Sequence, residues 1–543
     1  MVHSLADWFA AHGVWLAPSI HLVSAAPGAI KLTFPCATVA QIPLDLVLSH
    51  RSSALATAVD DSDDDPLAAH APALRLAVHV AHELALGSRS RWATYLALCP
   101  PREAVPIALL WEGDAQRWAR GTELAKECDR IGIDKAVLER FYDDVALPLL
   151  SSLPSTSSTS PASLSTFLHA YTLVSSRAFQ VSSFHSLALV PLADAFNHSD
   201  PPHVHLASDA WVCPECGTLG VCAHDDEDEG ERERDLALEP LRTEPARDEA
   251  NTVDMVSERD IEAGDEVFNM YGSAFSNAHL VAAYGFLLEG NEHDVVSFER
   301  RGALETLVCL VGATAGPERS IGELERELDE LKTAWRTVSN GGPLLDFDHP
   351  LIAPPPPPTS SISALQDLYI DADARTSSSL WLVVALIARH VASGTFPSAR
   401  RRDEEPPAAK RARGAAPDVG AGPMDMLQSA VGLAERAGEV WRASEDALEA
   451  GAAGSGVPSS VDDEPDNVEQ AVERETLRWA GVLVRGLCAA RVEEQVEEAR
   501  GNKASELYER AEEADDPSLR LAIEFLAGER LLIERVVSQW TFI

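Results

Sequence analysis

The sequence predicts an α+β chain, and three observations carry that expectation. Up to about residue 50, short apolar runs alternate with Pro and Gly, as strands do. From 66 to 148 the apolar spacing turns helical. After about 301 it is helical again for most of the remaining length. With 543 residues, 45% of them hydrophobic, the chain can fill roughly two to four cores.

Each element has a local reason. SLADWFAAH at 4–12 places Leu5, Trp8 and Phe9 on one side of a helix. IHLV, IKLTF and LDLVL, between residues 20 and 48, read as strands. LAAHAPALRLAVHVAHELALG reads as a helix that stops at Gly87, because glycine tolerates the backbone of a helix end. DDSDDDP at 60–66 is an acidic loop, and SSLPSTSSTSPASLS at 151–165 a Ser/Pro-rich one. Residues 208–250 form a polar insert with a Cys cluster and an acidic run. In IGELERELDELKTAWRTV, Ile321, Leu324, Leu328 and Leu331 recur at helical spacing. LWLVVALIA, 380–388, is too short to span a bilayer and reads as a buried helix. Composition predicts disordered loops near 353–361, 397–424 and 451–466. No internal repeat is visible.

Charge and cysteine usage narrow the function. Eighty-six acidic residues against 44 basic ones give a net charge of −42. Such a chain repels nucleic-acid phosphates and suits a basic, lysine-rich protein partner. The eight cysteines are sparse outside one cluster, which points to a reducing compartment. The N-terminus lacks the basic start of a signal peptide, and Asp7 interrupts its apolar run. The expectation is a soluble intracellular monomer with no membrane and no nucleic-acid partner.

Two stretches concentrate chemistry. LVPLADAFNHSDP, 189–201, ends an apolar run on Asn197 and His198. Adjacent side chains diverge, so a metal site is poorly served. No G-x-S-x-G elbow, P-loop or G-x-G-x-x-G accompanies it. His203 and His205 alternate in HVHL and read as a surface strand end. In Gly264–Asp294 a strand EVFNMY, a polar loop and a helix AHLVAAYG are bracketed by Tyr271 and Tyr284. Taken alone, these could be core tyrosines.

Together the two stretches resemble the SET-domain protein methyltransferases, closest to the Rubisco large-subunit methyltransferase type. That group has a split SET domain and a helical C-terminal lobe. LADWFAAHGVWLAPSIHL, SRSRWATYLALCPP, PIALLWEGDAQRWARGTEL and LRLAIEFLAGERLLIERVVSQW resemble further segments of the group. The resemblance implies a SET domain over 1–300, with a helical insertion at 66–165 and the Cys-containing insert at 208–250. It implies a helical substrate-binding lobe over 301–543. The implied activity is S-adenosylmethionine-dependent protein-lysine N-methylation of a non-histone target such as a ribosomal or translation protein.

Carried over residue by residue, Tyr271 would be the catalytic tyrosine. Arg177, Asp194, Ala195, Phe196, Asn197, His198, Tyr284, Gly285 and Phe286 would line the S-adenosylmethionine pocket, and Phe268 and Tyr284 the substrate lysine channel. Where the group carries Gly-x-Gly, this chain reads AAPGAIKL with Gly28 alone. That departure motivates a second reading, a catalytically silent SET-fold binding module. A third is a histidine-directed methyltransferase, as in one branch of the group.

Three further features stand outside this scheme. CPECGTLGVCAH offers Cys213, Cys216, Cys222 and His224 as zinc ligands, the C-P-E-C-G turn being of the metal-knuckle type. Basic clusters at 400–402 and within 407–414 read as a nuclear import signal, consistent with nucleus, cytoplasm or both. HVAHEL at 79–84 has the wrong order for a zinc protease and reads as structural.

Overall fold

The computed structural model describes residues 2–21, 38–56, 66–153, 161–209, 212–219, 222, 224, 251–262, 264–312, 317–339, 344–345, 348–354, 368–393, 422–449, 468–541 and 543. These form two compact units. The first comprises Met1–Leu110, Ile133–Ser273 and Ala283–Gly285, and the second Trp111–Gly132, Ala274–Ala282 and Phe286–Ile543. Gly28, the acidic run at 60–65 and both basic clusters lie outside the described residues, as does most of each of the three stretches with loop composition.

The strands of the first unit are β1 (Trp15–Leu16), β2 (Thr38–Pro43), β3 (Leu48–Ser49), β4 (Ala178–Ser182), β5 (Ser186–Leu189), β6 (Val204–Ala207) and β7 (Thr252–Ser257). One antiparallel sheet runs β1-β2-β7-β6 and another β3-β5-β4. In the first sheet Ala40 faces Met255 and Ile42 faces Val253. All four are fully buried, in a core shared with Leu46, Val47, Ala188 and Val190. The helix Pro72–Leu86 starts at the proline, whose missing N–H costs nothing in a first turn, and ends at Gly87 with φ +56°. Its two polar buried side chains are structural, as expected for HVAHEL. His79 Nδ1 meets Ser53 Oγ at 2.6 Å, and Glu83 accepts from Ala54 N and Ser90 Oγ, each at 2.6 Å.

Two strand expectations are corrected. LDLVL forms a 3-10 turn at Leu44–Leu46 after Pro43 and joins a ladder only at its last residue, Leu48 of the two-residue β3, which pairs with Leu189 of β5. The longer strand is TVAQIP, just upstream. EVFNMY is not a ladder strand. Asn269 makes isolated parallel bridges to His198 and Val204, and its neighbours' backbone groups bond across to 197–204. Ile20 and His21 are irregular, and the rest of IHLV and all of IKLTF lie outside the described residues.

The second unit is mostly helical, with one small sheet. Strands β8 (Val295–Ser297), β9 (Ile352–Ala353), β10 (Tyr369–Asp371) and β11 (Thr376–Ser377) order as β8-β10-β11-β9. The helix Pro317–Ser339 buries Ile321, Leu324, Leu328 and Leu331, the four residues that predict it. LWLVVALIA lies inside the buried helix Ser378–Ala392. Trp381 of that helix stacks on Trp540 and donates to Ala430 O at 2.9 Å. Between helices Gly113–Ala119 and Glu123–Ile131, Gly121 has φ +70°. A Cβ there would sit 2.2 Å from Glu494 O, so only glycine fits. No described helix is long and apolar enough to cross a membrane.

A buried charge network ties this unit together. Arg491 donates Nε to Glu529 at 3.0 Å, Nη1 to Glu494 at 3.0 Å and Nη2 to Glu123 at 2.8 Å. Glu123 also accepts from Ser297 N and Oγ, and Glu529 from Glu123 N. Burial opposes the charge on Arg491, but Glu529 and Glu123 hold its pKa above the usual arginine value.

Candidate active site

Arg177 ends the helix Leu164–Arg177, which Ser163 caps by accepting from Thr166 N. Its Nη1 donates to Asp194 O at 3.0 Å and to Asp194 Oδ2 at 3.3 Å. Tyr95 donates its hydroxyl to the same Oδ2 at 2.8 Å. Asp194 is buried, and desolvation raises its pKa while Arg177 and Tyr95 pull it back. Arg177 Nε is buried without a hydrogen-bond partner among the described residues. The turn Ala193–Ala195 that presents Asp194 follows Leu192, a buried leucine at φ +80°. A branched residue there costs about 1–3 kcal/mol, a level of strain that clusters at functional sites.

The next residues hold the tyrosine. Tyr271 donates its hydroxyl to Phe196 O at 3.1 Å, and its backbone N–H donates to His198 Nδ1 at 3.1 Å. Asn269 N donates to Asn197 O at 2.8 Å, and Ser199 N to Asn269 O at 3.0 Å. Segments 196–199 and 269–271 are therefore stitched through both backbone and side chain. The Asn197 amide donates to the Glu266 carboxylate. Ala195 and Asn197 are exposed, whereas Phe196 and His198 are buried.

Tyr271 and Tyr284 stack with ring centroids 5.1 Å apart at 26°. Burial pushes each phenol up to about 12, Tyr271 adding to the effect on Tyr284. Both hydroxyls stay protonated at neutral pH. Tyr284 ends a widened helical turn, Leu280–Tyr284, with i→i+5 geometry of the kind that recurs at functional sites. Ser175 Oγ holds it by donating to Ala283 O at 2.8 Å. Gly285 follows at φ +77°, and a Cβ there would come within 3.0 Å of Pro106 N.

The sequence candidates are thus only partly gathered. Arg177, Asp194, Phe196, His198, Tyr271 and Tyr284 form one connected set in the first unit. Phe286 belongs to the second unit. Phe268 has His203 as its ring partner among the described residues, stacked at 5.7 Å. Tyr95, in the SRSRWATYL segment, is a member of this set that the motifs do not name.

The chain is similar to a ribosomal lysine methyltransferase. That relative is the Ribosomal lysine N-methyltransferase 3 of Saccharomyces cerevisiae, 28% identical over 239 residues. The match covers 34% of this chain and 43% of the relative, so the chain spans less than half the length of the curated protein it matches. No protein-family model matches the chain. Among solved structures, it resembles the SET domain of LSMT bound to lysine and AdoHcy at 15% identity, with a TM-score of 0.49, covering 99% of this chain and 90% of the other. It also resembles Rubisco LSMT bound to AdoMet at 14% identity, with a TM-score of 0.46, over 99% of this chain and 91% of that one.

Proposed function

We infer that this protein is a SET-domain, S-adenosylmethionine-dependent protein-lysine N-methyltransferase acting on a translation protein. One observation carries the reading furthest. Tyr271 is fastened by hydroxyl and backbone to Phe196 and His198, beside the Arg177–Asp194 pair. The likeness to the yeast enzyme supports the same activity and target class.

The residues fit the cofactor. Arg177 Nε is a buried donor with no partner among the described residues, suited to a ligand carboxylate. Asn197 and His198 would hold the amino-acid end through backbone groups, with Asp194 setting Arg177 in place. Tyr284 and Gly285 would close the opposite wall. When bound, S-adenosylmethionine supplies an electrophilic methyl group on sulfur. The attacking lysine must be neutral, and removing its proton at pH 7 costs about 4–5 kcal/mol from an ordinary pKa. Desolvation beside the stacked, protonated rings of Tyr271 and Tyr284 would lower that cost by disfavouring the ammonium form. The Tyr271 proton is committed to Phe196 O, so its oxygen offers lone-pair density, which suits a positively polarised methyl group. Phe268 is assigned to the scaffold, holding the crossing segment on His203.

The acidic balance of the chain supports a lysine-rich target. So does a cavity of about 820 Å³ within the second unit, whose lining includes Glu289, Glu512 and Glu524. Basic clusters at 400–402 and 407–414 support entry to the nucleus.

The test combines calorimetry with S-adenosylmethionine and transfer of labelled methyl to a ribosome-enriched lysate. Wild-type protein should bind and label a lysine. Tyr271→Phe should lower transfer about 100-fold with binding retained. Unchanged transfer in that variant would sink the assignment of Tyr271. Absence of heat with the wild-type protein would favour the silent binding module that the single Gly28 suggests.

A further inference from the structure

We propose that Cys213, Cys216, Cys222 and His224 form a structural zinc site that clamps the start of the 208–250 insert onto the first unit. The ligand atoms of all four lie within 4.8 Å of one another. Cys213 Sγ and Cys222 Sγ are each 3.7 Å from His224 Nδ1. Tetrahedral ligands about 2.0–2.3 Å from a zinc ion stand roughly 3.5–3.8 Å apart, so these separations are those of a coordination shell. None of the three cysteines is in a disulfide.

The backbone supports the same conclusion. Gly217 N donates to Cys213 O at 2.8 Å, and Cys213 N donates to Thr218 O at 3.0 Å. Gly217 has φ +73°, which lets the Cys-x-x-Cys turn fold back so that both sulfurs face one point. In sequence, Cys222 and His224 stand too close for easy closure. The structure resolves this by using Nδ1, the ring nitrogen nearer the backbone. Three thiolates and an imidazole suit zinc, and four protein ligands leave no open position, so the role is structural rather than catalytic.

What the site would hold in place is also visible. Arg51 Nη2 donates to Pro214 O at 3.0 Å and pairs with Glu215 at 3.5 Å. The Arg51 guanidinium lies over the Phe184 ring at 5.3 Å. The same ring packs on Gly217, where a Cβ would come within 3.1 Å of it. The knuckle therefore seats on the turn between β4 and β5.

Metal analysis of full-length protein, purified without chelator and without a histidine tag, tests this directly. One zinc per chain is expected, and Cys216→Ser and Cys222→Ser should each lose it. Cobalt substitution should give the visible bands of a tetrahedral thiolate site. In the folded wild-type protein, chelator should expose three additional reactive thiols, a readout independent of whether the variants fold. Metal-free wild-type protein after zinc supplementation, or full zinc retention in both variants, overturns the proposal. The result does not depend on methyltransferase activity.

Discussion

Arg491, buried, and Arg177, half-buried, both face carboxylates, yet the two sites are built on opposite plans. Arg491 is saturated: its Nε, Nη1 and Nη2 each reach a different glutamate, and those glutamates are tied to further backbone and hydroxyl donors. Arg177 has one carboxylate, which it shares with Tyr95, and its Nε has no partner among the described residues. A fully satisfied buried charge cluster serves structure, because it leaves nothing for a ligand to complete. An incompletely satisfied one costs stability, and a ligand that completes it recovers that cost.

The largest effect should come from breaking the saturated cluster. Arg491→Met leaves Glu529 buried without its cation and Glu123 with only the half-exposed Lys126, at a cost of about 3–5 kcal/mol, read as a collapse of the urea midpoint. Gly121→Ala attacks the same unit through the backbone, where φ +70° and Glu494 O both oppose a methyl group. A loss of about 3 kcal/mol is expected. Arg177→Met should be milder, about 1–2 kcal/mol, because Asp194 can take up a proton and keep its Tyr95 bond. Its signature should instead be at least tenfold weaker S-adenosylmethionine binding. A stability loss as large as that of Arg491→Met would erase the contrast between the two clusters.

Acid titration sharpens the comparison inside the second unit. Burial raises Asp294 to about 6, with Asn277 hydrogen bonds opposing. Its folded pKa exceeds the unfolded value of about 3.9. Its contribution is complete below that value and is lost as pH rises through about 6, by roughly 3 kcal/mol. Glu127 has the opposite sign. Burial would raise it, but Arg130 and His279 hold it down at about 2, so its contribution is present above about 4.5 and lost as pH falls through 2. Urea midpoints from pH 4 to 7.5 should therefore show a fall that Asp294→Asn removes and Glu127→Gln does not.

What the sequence disclosed followed the range of the interactions involved. Ile321, Leu324, Leu328 and Leu331 lie within eleven residues, and their spacing alone marks a buried helix face. Gly87 marks a helix end by its own backbone freedom. LDLVL misled because alternation over five residues does not separate a strand from a 3-10 turn. EVFNMY misled because its backbone partners lie about seventy residues upstream. Arg177, Asp194 and Tyr271 were reached through resemblance to a known motif, whereas Tyr95 became visible only once Asp194 Oδ2 was seen beside it. The Arg491 cluster left no local trace, since Glu123 lies 368 residues away in the chain. Nor does any local pattern reveal that 111–132 packs into the second unit.

The pairing of β6 with β7 has a consequence for how such a chain can vary. Ala207 faces Asp254 and Val204 faces Ser257, so the chain leaves the sheet and returns to it on neighbouring strands. Lengthening the chain between the two strands raises the entropic cost of bringing them together only logarithmically. The Tyr271 anchor is fixed by contacts on the far side of that strand pair, at 196–199. The position is therefore a natural graft point, where a cassette can be exchanged, shortened or given a new binding specificity while the residues around Tyr271 keep their register.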